Sequence, residues 1–163
     1  MTDFAALRER MVERDLVGRG ITDAAVLEAM RSVPREAFVP RARRRRAYDD
    51  APLPIGSGQT ISQPYIVALM LEALELGTAP ADPDVRALDV GTGSGYAAAV
   101  MSRIVAHVYT VERHERLARE AGRRFERLGY DNVSVRHGDG TRGWPEHAPY
   151  RGIAVADAHV VVA

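Results

Sequence analysis

Leu88-Asp89-Val90-Gly91-Thr92-Gly93-Ser94-Gly95-Tyr96 joins a short apolar run to a helical stretch. Glycine at 91, 93 and 95 permits backbone dihedrals barred to residues with a Cβ, and it lets a ligand approach main-chain N–H groups near a helix N-terminus. The dinucleotide fingerprint G-x-G-x-x-G would need its third glycine at position 96, which is Tyr96, so the spacing weakens a nicotinamide reading. A G-x-G-x-G turn with Asp89 two residues ahead of it suits a ligand without a pyrophosphate, namely an adenosine bearing a charged amino-acid tail. Asp89 and the backbone can meet that tail.

Outward from this turn, short apolar runs at 85–90, 108–111, 133–135 and 153–155 alternate with helical stretches at 96–104 and 115–128. That alternation predicts strand–helix–strand units, a largely parallel sheet with helices on both faces, and an α/β, Rossmann-like fold. In the longer helix Leu117, Ala121, Phe125 and Leu128 share one face, the pairs Glu115/Arg119 and Glu120/Arg124 support the wet face, and Gly129 can end it. Two further acids fall at strand ends. Glu112 follows Gly95 by 17 residues, the place from which a carboxylate accepts hydrogen bonds from ribose hydroxyls, and Asp139 in Gly138-Asp139-Gly140 can accept from an adenine amino group. A lone loop aspartate usually caps a turn. Three acids at the C-terminal ends of three successive strands point to a nucleoside site, because open parallel sheets bind ligands at that edge.

Towards the N-terminus, Phe4, Leu7, Met11 and Val12 predict one helix; Val26, Leu27 and Met30 predict a second, capped at Thr22 or Asp23 and closed by Pro34. Residues 52–63, rich in Pro, Gly, Ser and Thr, are expected to form a long shaped loop rather than a regular element. Pro64 then starts a largely buried helix, with Ile66, Val67, Met70, Leu71, Leu74 and Leu76 on its apolar face and Gly77 at its end. Residues 78–84 form a linker. Ser62, just before that helix, can either cap it or hold a carboxylate there.

The chain has 163 residues, enough for one domain with a sizeable core. It contains 46% apolar and 27% charged residues, with 22 basic residues balancing 22 acidic ones. Attraction of the whole molecule to nucleic acid or to anionic lipid is therefore not implied. No cysteine is present, which excludes thiol nucleophiles, thiolate zinc sites and disulfides. All the basic residues are arginine, which excludes a phosphate-loop lysine and any Schiff-base chemistry. The histidines show no metal-ligand spacing, so no metal is expected. Without a signal-peptide pattern or an 18-residue apolar run, the expectation is a cytoplasmic protein. The run Arg41 to Arg46, followed by Asp49 and Asp50, reads as a solvated face, and Trp144-Pro145 as a packed turn.

From about Val26 to Tyr150 the sequence resembles the protein-L-isoaspartate O-methyltransferases, which use S-adenosylmethionine. The most specific piece is Pro52-Leu-Pro-Ile-Gly-Ser-Gly-Gln-Thr-Ile-Ser-Gln-Pro-Tyr65, supported by Arg31 to Pro40, the glycine turn and Gly129-Tyr-Asp-Asn-Val133. The resemblance implies the S-adenosylmethionine-dependent methyltransferase fold with an N-terminal helical extension. It implies methyl transfer to the α-carboxylate of isoaspartyl residues in damaged peptides and proteins. Ser62 is then the active-site serine, Gln59, Thr60 and Ile61 border the cofactor, and Ser94, Glu112, Asp139 and Gly140 bind it. The same reading divides a single domain, 1–163, into N-terminal helices and substrate loop (1–77) and a nucleoside-binding part (84–163).

Members of that family continue for some fifty residues past the fourth strand, and Arg151 replaces their usual aspartate. On this reading the last strands are missing, the fourth strand is left as a hydrophobic edge, the run His159 to Ala163 is an association hazard, and the chain is expected to be a monomer or to self-associate weakly through that edge. Two alternative functions follow: a catalytically impaired module that binds S-adenosylmethionine, or a carboxyl methyltransferase for another acidic peptide. Neither a nucleic-acid nor a membrane partner is expected.

Overall fold

The computed structural model describes residues 1–77 and 83–156. α1 (Phe4–Met11) and α2 (Ala24–Ser32) open the chain, each capped by an aspartate. Asp3 accepts from the Ala6 amide at 3.0 Å, and Asp23 accepts from Ala25 at 2.9 Å and Val26 at 3.2 Å. A π-helical turn, Val12–Leu16, continues α1 and buries Val12 and Leu16 beside Met11. The arginine run is a 3₁₀ segment, Arg41–Arg46, with no buried residue, in keeping with a solvated face.

Residues 52–63 are not an irregular loop. They form an antiparallel hairpin of β1 (Leu53–Gly56) and β2 (Gln59–Ile61), with Leu53 opposite Ile61 and Pro54 opposite Thr60. Leu53 and Ile55 are buried while Pro54 and Gly56 are exposed, the period of a half-buried strand. Two strands have only edges, so Pro54 is tolerated, and Ser57 (φ 53°) and Gly58 (φ 68°) take the left-handed conformations the turn needs. Turn-rich composition hid a two-residue apolar alternation too short to stand out.

α3 (Pro64–Ala73) begins at the expected proline and buries Val67, Ala68 and Leu71, but Ile66 and Leu69 are more than 40% exposed, so its buried face is narrower than expected. The helix ends before Gly77: Glu75 takes the left-handed conformation at φ 51°. Gly77 is instead a contact glycine, since a Cβ there would lie 2.7 Å from that of Ala25.

The remaining strands are β3 (Arg86–Val90), β4 (His107–Glu112), β5 (Val133–His137) and β6 (Gly152–Val155). They form a parallel sheet in the order β5-β4-β3-β6, with Asp89 level with Thr110 on one side and Ala154 on the other. The crossovers run outward from β3 through β4 to β5, and β6 then returns to the other flank of β3. The strand order reverses there, opening a crevice at the carboxyl ends of β3 and β6.

α4 (Tyr96–Met101) is shorter than expected; Arg103 and Ile104 are held in turns by the Val100 and Met101 carbonyls. α5 (Glu115–Leu128) has the expected bounds, buries Leu117, Ala121 and Phe125, and ends at Gly129 (φ 78°). Of its two expected ion pairs, Glu115–Arg119 forms at 3.5 Å. Glu120 pairs with Arg116 at 3.5 Å instead, because Arg124 turns inward and donates to the Ser94 carbonyl at 2.7 Å.

Trp144 does sit in a packed turn, its ring edge-on to Tyr109 at 5.3 Å and beneath the Arg136 guanidinium at 4.9 Å. Among the described residues β6 forms one edge of the sheet, and no helix is long and apolar enough to cross a membrane. Part of the linker, 78–82, and the stretch from Asp157 to Ala163, on which the expectation of self-association fell, lie outside the described residues.

Candidate functional site

At the carboxyl ends of β3, β4 and β6 lies a cavity of about 300 Å³, within the range of small-molecule sites. One wall comes from the sheet and its loops: Val90, Gly91, Gly93, Val111, Glu112, Asp139 and Gly140. The facing wall is the hairpin and the entry to α3, supplying Gln59, Thr60 and Ser62. Eight of the twelve residues singled out in the sequence therefore share one cavity, although up to 81 positions separate them in the chain.

The glycine turn is held by backbone bonds to β4: Gly91 donates to the Val111 carbonyl at 2.8 Å, and Gly95 closes the turn on Thr92 at 2.8 Å. Gly91, Gly93 and Gly95 all have positive φ. Glu112 is 4% exposed, and its two oxygens accept from the Gly93 amide at 2.8 Å and the His114 amide at 3.0 Å. It thus braces the glycine turn while facing the cavity, with lone pairs left for a ligand. Asp139 accepts from the amide and hydroxyl of Thr141 at 2.9 and 2.7 Å, so the bland role of turn cap and a place on the cavity wall coexist in one residue. Those two hydrogen bonds, the side-chain one first, hold its carboxyl below the usual range. Gly140 is required for space: a Cβ would fall 2.5 Å from Val90 Cγ1.

Four of the expected residues are placed behind the wall. Ile61 is a core residue of the hairpin. Gly95 packs under Phe125, whose Cζ would lie 2.6 Å from a Cβ there, so this glycine serves helix packing. Ser94 is 6% exposed, its hydroxyl accepts from the Tyr96 amide at 3.3 Å, and it faces α5. Asp89 is fully buried beneath the turn; its Oδ2 accepts from Thr110 at 2.8 Å, and its Oδ1 has no partner. The Thr110 hydroxyl also lies 2.6 Å from that of Thr92, which links the buried carboxyl to the glycine turn. Burial pushes the Asp89 carboxyl up to about 7, the Thr110 hydrogen bond opposes this, and nearby Glu112 adds to it.

Ser62 does not cap α3. Gln63 occupies the cap position, its carbonyl takes the Ile66 and Val67 amides, and the Tyr65 amide reaches Asp50 at 3.4 Å. Those first-turn donors are committed, which leaves the Ser62 hydroxyl as the polar group this entry can offer. Wall residues missed in the sequence are Val90, Val111, Arg113, Thr141, Val155 and Ala156. All but Arg113 are uncharged residues at strand ends or in turns, and only their position flanking the acids could have marked them.

A parallel sheet crossed over in this order, with a glycine turn leading from a central strand into a short helix, is the Rossmann-like α/β fold of the methyltransferases. Within that class, the chain belongs to the protein-L-isoaspartate(D-aspartate) O-methyltransferase family, whose family model matches residues 7–162. It is 64% identical over 148 residues to protein-L-isoaspartate O-methyltransferase 2 of Pelobacter propionicus, covering 91% of this chain and 64% of that protein. It is 59% identical over 152 residues to the protein-L-isoaspartate O-methyltransferase of Pelotomaculum thermopropionicum, again over 64% of the relative. The chain thus spans less than two thirds of the length of these curated relatives. A solved protein-L-isoaspartate O-methyltransferase superposes with a TM-score of 0.78 at 36% identity, over 91% of this chain and 47% of that one. A Plasmodium falciparum structure described as a β-aspartate methyltransferase, in complex with S-adenosyl-L-homocysteine, superposes at 0.65 with 28% identity, over 85% of this chain and 64% of that one.

Proposed function

We propose that this chain is the cofactor-binding and acceptor-binding part of a protein-L-isoaspartate O-methyltransferase, a single domain in which 1–77 meets the peptide and 84–163 holds S-adenosylmethionine. The observation that carries the reading is the shared cavity: Ser62 and the hairpin stand on one wall, and Glu112 and Asp139 stand on the other. The residues present suit the cofactor. Glu112 offers carboxylate lone pairs to ribose hydroxyls, Asp139 to an adenine amino group, and glycine at 91, 93 and 140 keeps the wall free of side chains. When bound, S-adenosylmethionine supplies a methyl group on a positively charged sulfur.

The acceptor needs no general base. A peptide carboxyl with a pKa near 4 is ionised at neutral pH and is already a nucleophile, so holding it in line accounts for most of what the protein must do. The Ser62 hydroxyl donates a hydrogen bond to one carboxylate oxygen and leaves the other to react. Gln59 and Thr60, from the same hairpin, border both ligands. The products would be a methyl ester and S-adenosylhomocysteine, the methyl–sulfur bond breaking as the carboxylate oxygen takes the methyl, and the protein's task is orientation.

Purified protein is incubated with labelled S-adenosylmethionine and matched isoaspartyl and aspartyl peptides. Base-labile methyl ester on the isoaspartyl peptide alone is expected. Ester on both peptides would favour a broader acidic-peptide specificity. S-adenosylhomocysteine binding without ester would reduce the chain to a cofactor-binding module.

A further inference from the structure

Arg35 is the largest fully buried side chain in the molecule's described residues, at 0% exposure. No carboxylate lies within ion-pair distance of it among those residues. Its Nε donates to the Ala47 carbonyl at 2.6 Å and its Nη2 to the Ser62 carbonyl at 2.9 Å, while Nη1 has no partner. The guanidinium stands 4.9 Å from the Tyr96 ring, and the Arg35 amide donates to the Tyr48 hydroxyl at 3.1 Å.

A buried cation with no carboxylate in contact, attracted only at longer range by Asp50, is unfavourable, and an apolar side chain of the same size would fill this space more cheaply. Packing therefore does not account for an arginine here. What a guanidinium adds is a rigid plane with several donors, able to tie separate strands of chain at fixed angles and to stack on an aromatic face. The segments tied here are the end of the arginine-rich 3₁₀ turn at Ala47, the acceptor wall at Ser62, and Tyr96, the first residue after the glycine turn. Arg35 makes the one side-chain hydrogen bond that reaches Ser62 among the described residues.

We propose that Arg35 is the positioning residue for Ser62: it sets the serine's place on the acceptor wall relative to the glycine turn on the cofactor wall, without touching either ligand. This rests on the reading of Ser62 as the acceptor-side serine. The resulting separation of effects is specific. Loss of the guanidinium frees the acceptor wall and leaves the cofactor wall, held by strand ladders, in place.

The test compares Arg35→Met, which keeps bulk and loses every donor, with Arg35→Lys, which keeps the charge and a single point donor. Three quantities are read on the whole chain: S-adenosylhomocysteine affinity by calorimetry, segment-resolved hydrogen exchange, and kcat and KM for an isoaspartyl peptide. In Arg35→Met, exchange across 59–66 should quicken at least tenfold with 86–90 and 107–112 unchanged. The variant's kcat/KM should fall at least tenfold, cofactor affinity should fall by a smaller factor because only Gln59 and Thr60 of the freed wall border the cofactor, and Arg35→Lys should fall between. Unchanged exchange at 59–66 would overturn the proposal. So would acceleration in all strands in step with a lowered melting temperature, which would mark an ordinary core residue. If the unaltered chain forms no ester, the acceptor reading fails, and the exchange comparison still decides whether Arg35 holds the Ser62 wall.

Discussion

The sheet wall of the cavity is held by four parallel strands, with the glycine turn bonded to β4 through Gly91 and Val111 and braced by Glu112. The hairpin wall has two strands of four and three residues, held to the rest by buried Leu53, Ile55 and Ile61 and by single side-chain hooks such as Arg35. Backbone ladders are distributed, so no one side chain can undo them; a wall held by hooks changes position when one hook is lost. The difference teaches that a wall held by ladders and a wall held by hooks can face each other across one cavity, and that substitutions should separate them.

The largest expected effect lies under the sheet wall. Gly95→Ala forces a Cβ to 2.6 Å from Phe125 in a left-handed conformation, and should cost about 3 kcal/mol of stability in urea unfolding. A loss under about 1 kcal/mol would show that the turn and α5 yield easily and the sheet wall is softer than its ladders suggest. Next is Glu112→Ala, which orphans the Gly93 and His114 amides; about 2 kcal/mol of stability and at least tenfold in S-adenosylhomocysteine affinity should go.

Asp89 gives the sheet wall a pH signature. Its carboxyl is ionised in the unfolded chain above about pH 4 but keeps its proton in the folded protein up to about 7. Between these values the folded state binds the extra proton, so its contribution to stability is full at low pH and is lost as pH rises. Relative to Asp89→Asn, the unaltered protein should lose roughly 1 kcal/mol per pH unit between pH 5 and 6.5. A flat difference would mean the buried carboxyl titrates in the ordinary range.

The smallest stability effect belongs to the hairpin wall. Ser62 caps nothing, so Ser62→Ala should change stability by less than about 0.5 kcal/mol and leave cofactor affinity intact while lowering ester formation. A loss of 1 kcal/mol or more in the same unfolding assay would reveal a structural role for the hydroxyl and blur the contrast between the walls.

The strands of the sheet wall were readable from local pattern; the hairpin wall's residues Gln59, Thr60 and Ser62 were marked by the family resemblance, but its two strands were not legible. Val108, Val133 and Ile153 sit in apolar runs, and α5 carries a full amphipathic stripe, so local pattern sufficed for them. The hairpin has two buried residues in β1 and one in β2, flanked by turn formers, and its pairing across Ser57-Gly58 depends on a core supplied from elsewhere. Within the site, Glu112 stood out because it directly ends an apolar run and Asp139 because it sits between two glycines just past one. Ser94 and Gly95 fell in the right motif but on its far side, since one turn of chain points successive residues in opposite directions.

By itself the amino-acid sequence determined the glycine turn, the alternation of the four parallel strands with their helices, and the acids at the end of β4 and after β5, because these follow from local periodicity and from what glycine alone can adopt. Only the tertiary structure decided that Arg124 leaves Glu120 for the Ser94 carbonyl, that Asp50 rather than Ser62 takes the Tyr65 amide, and that Arg35 joins Ala47 to Ser62. Such partners are chosen by which donors and acceptors are buried together once the chain has packed, and no spacing along the sequence specifies that.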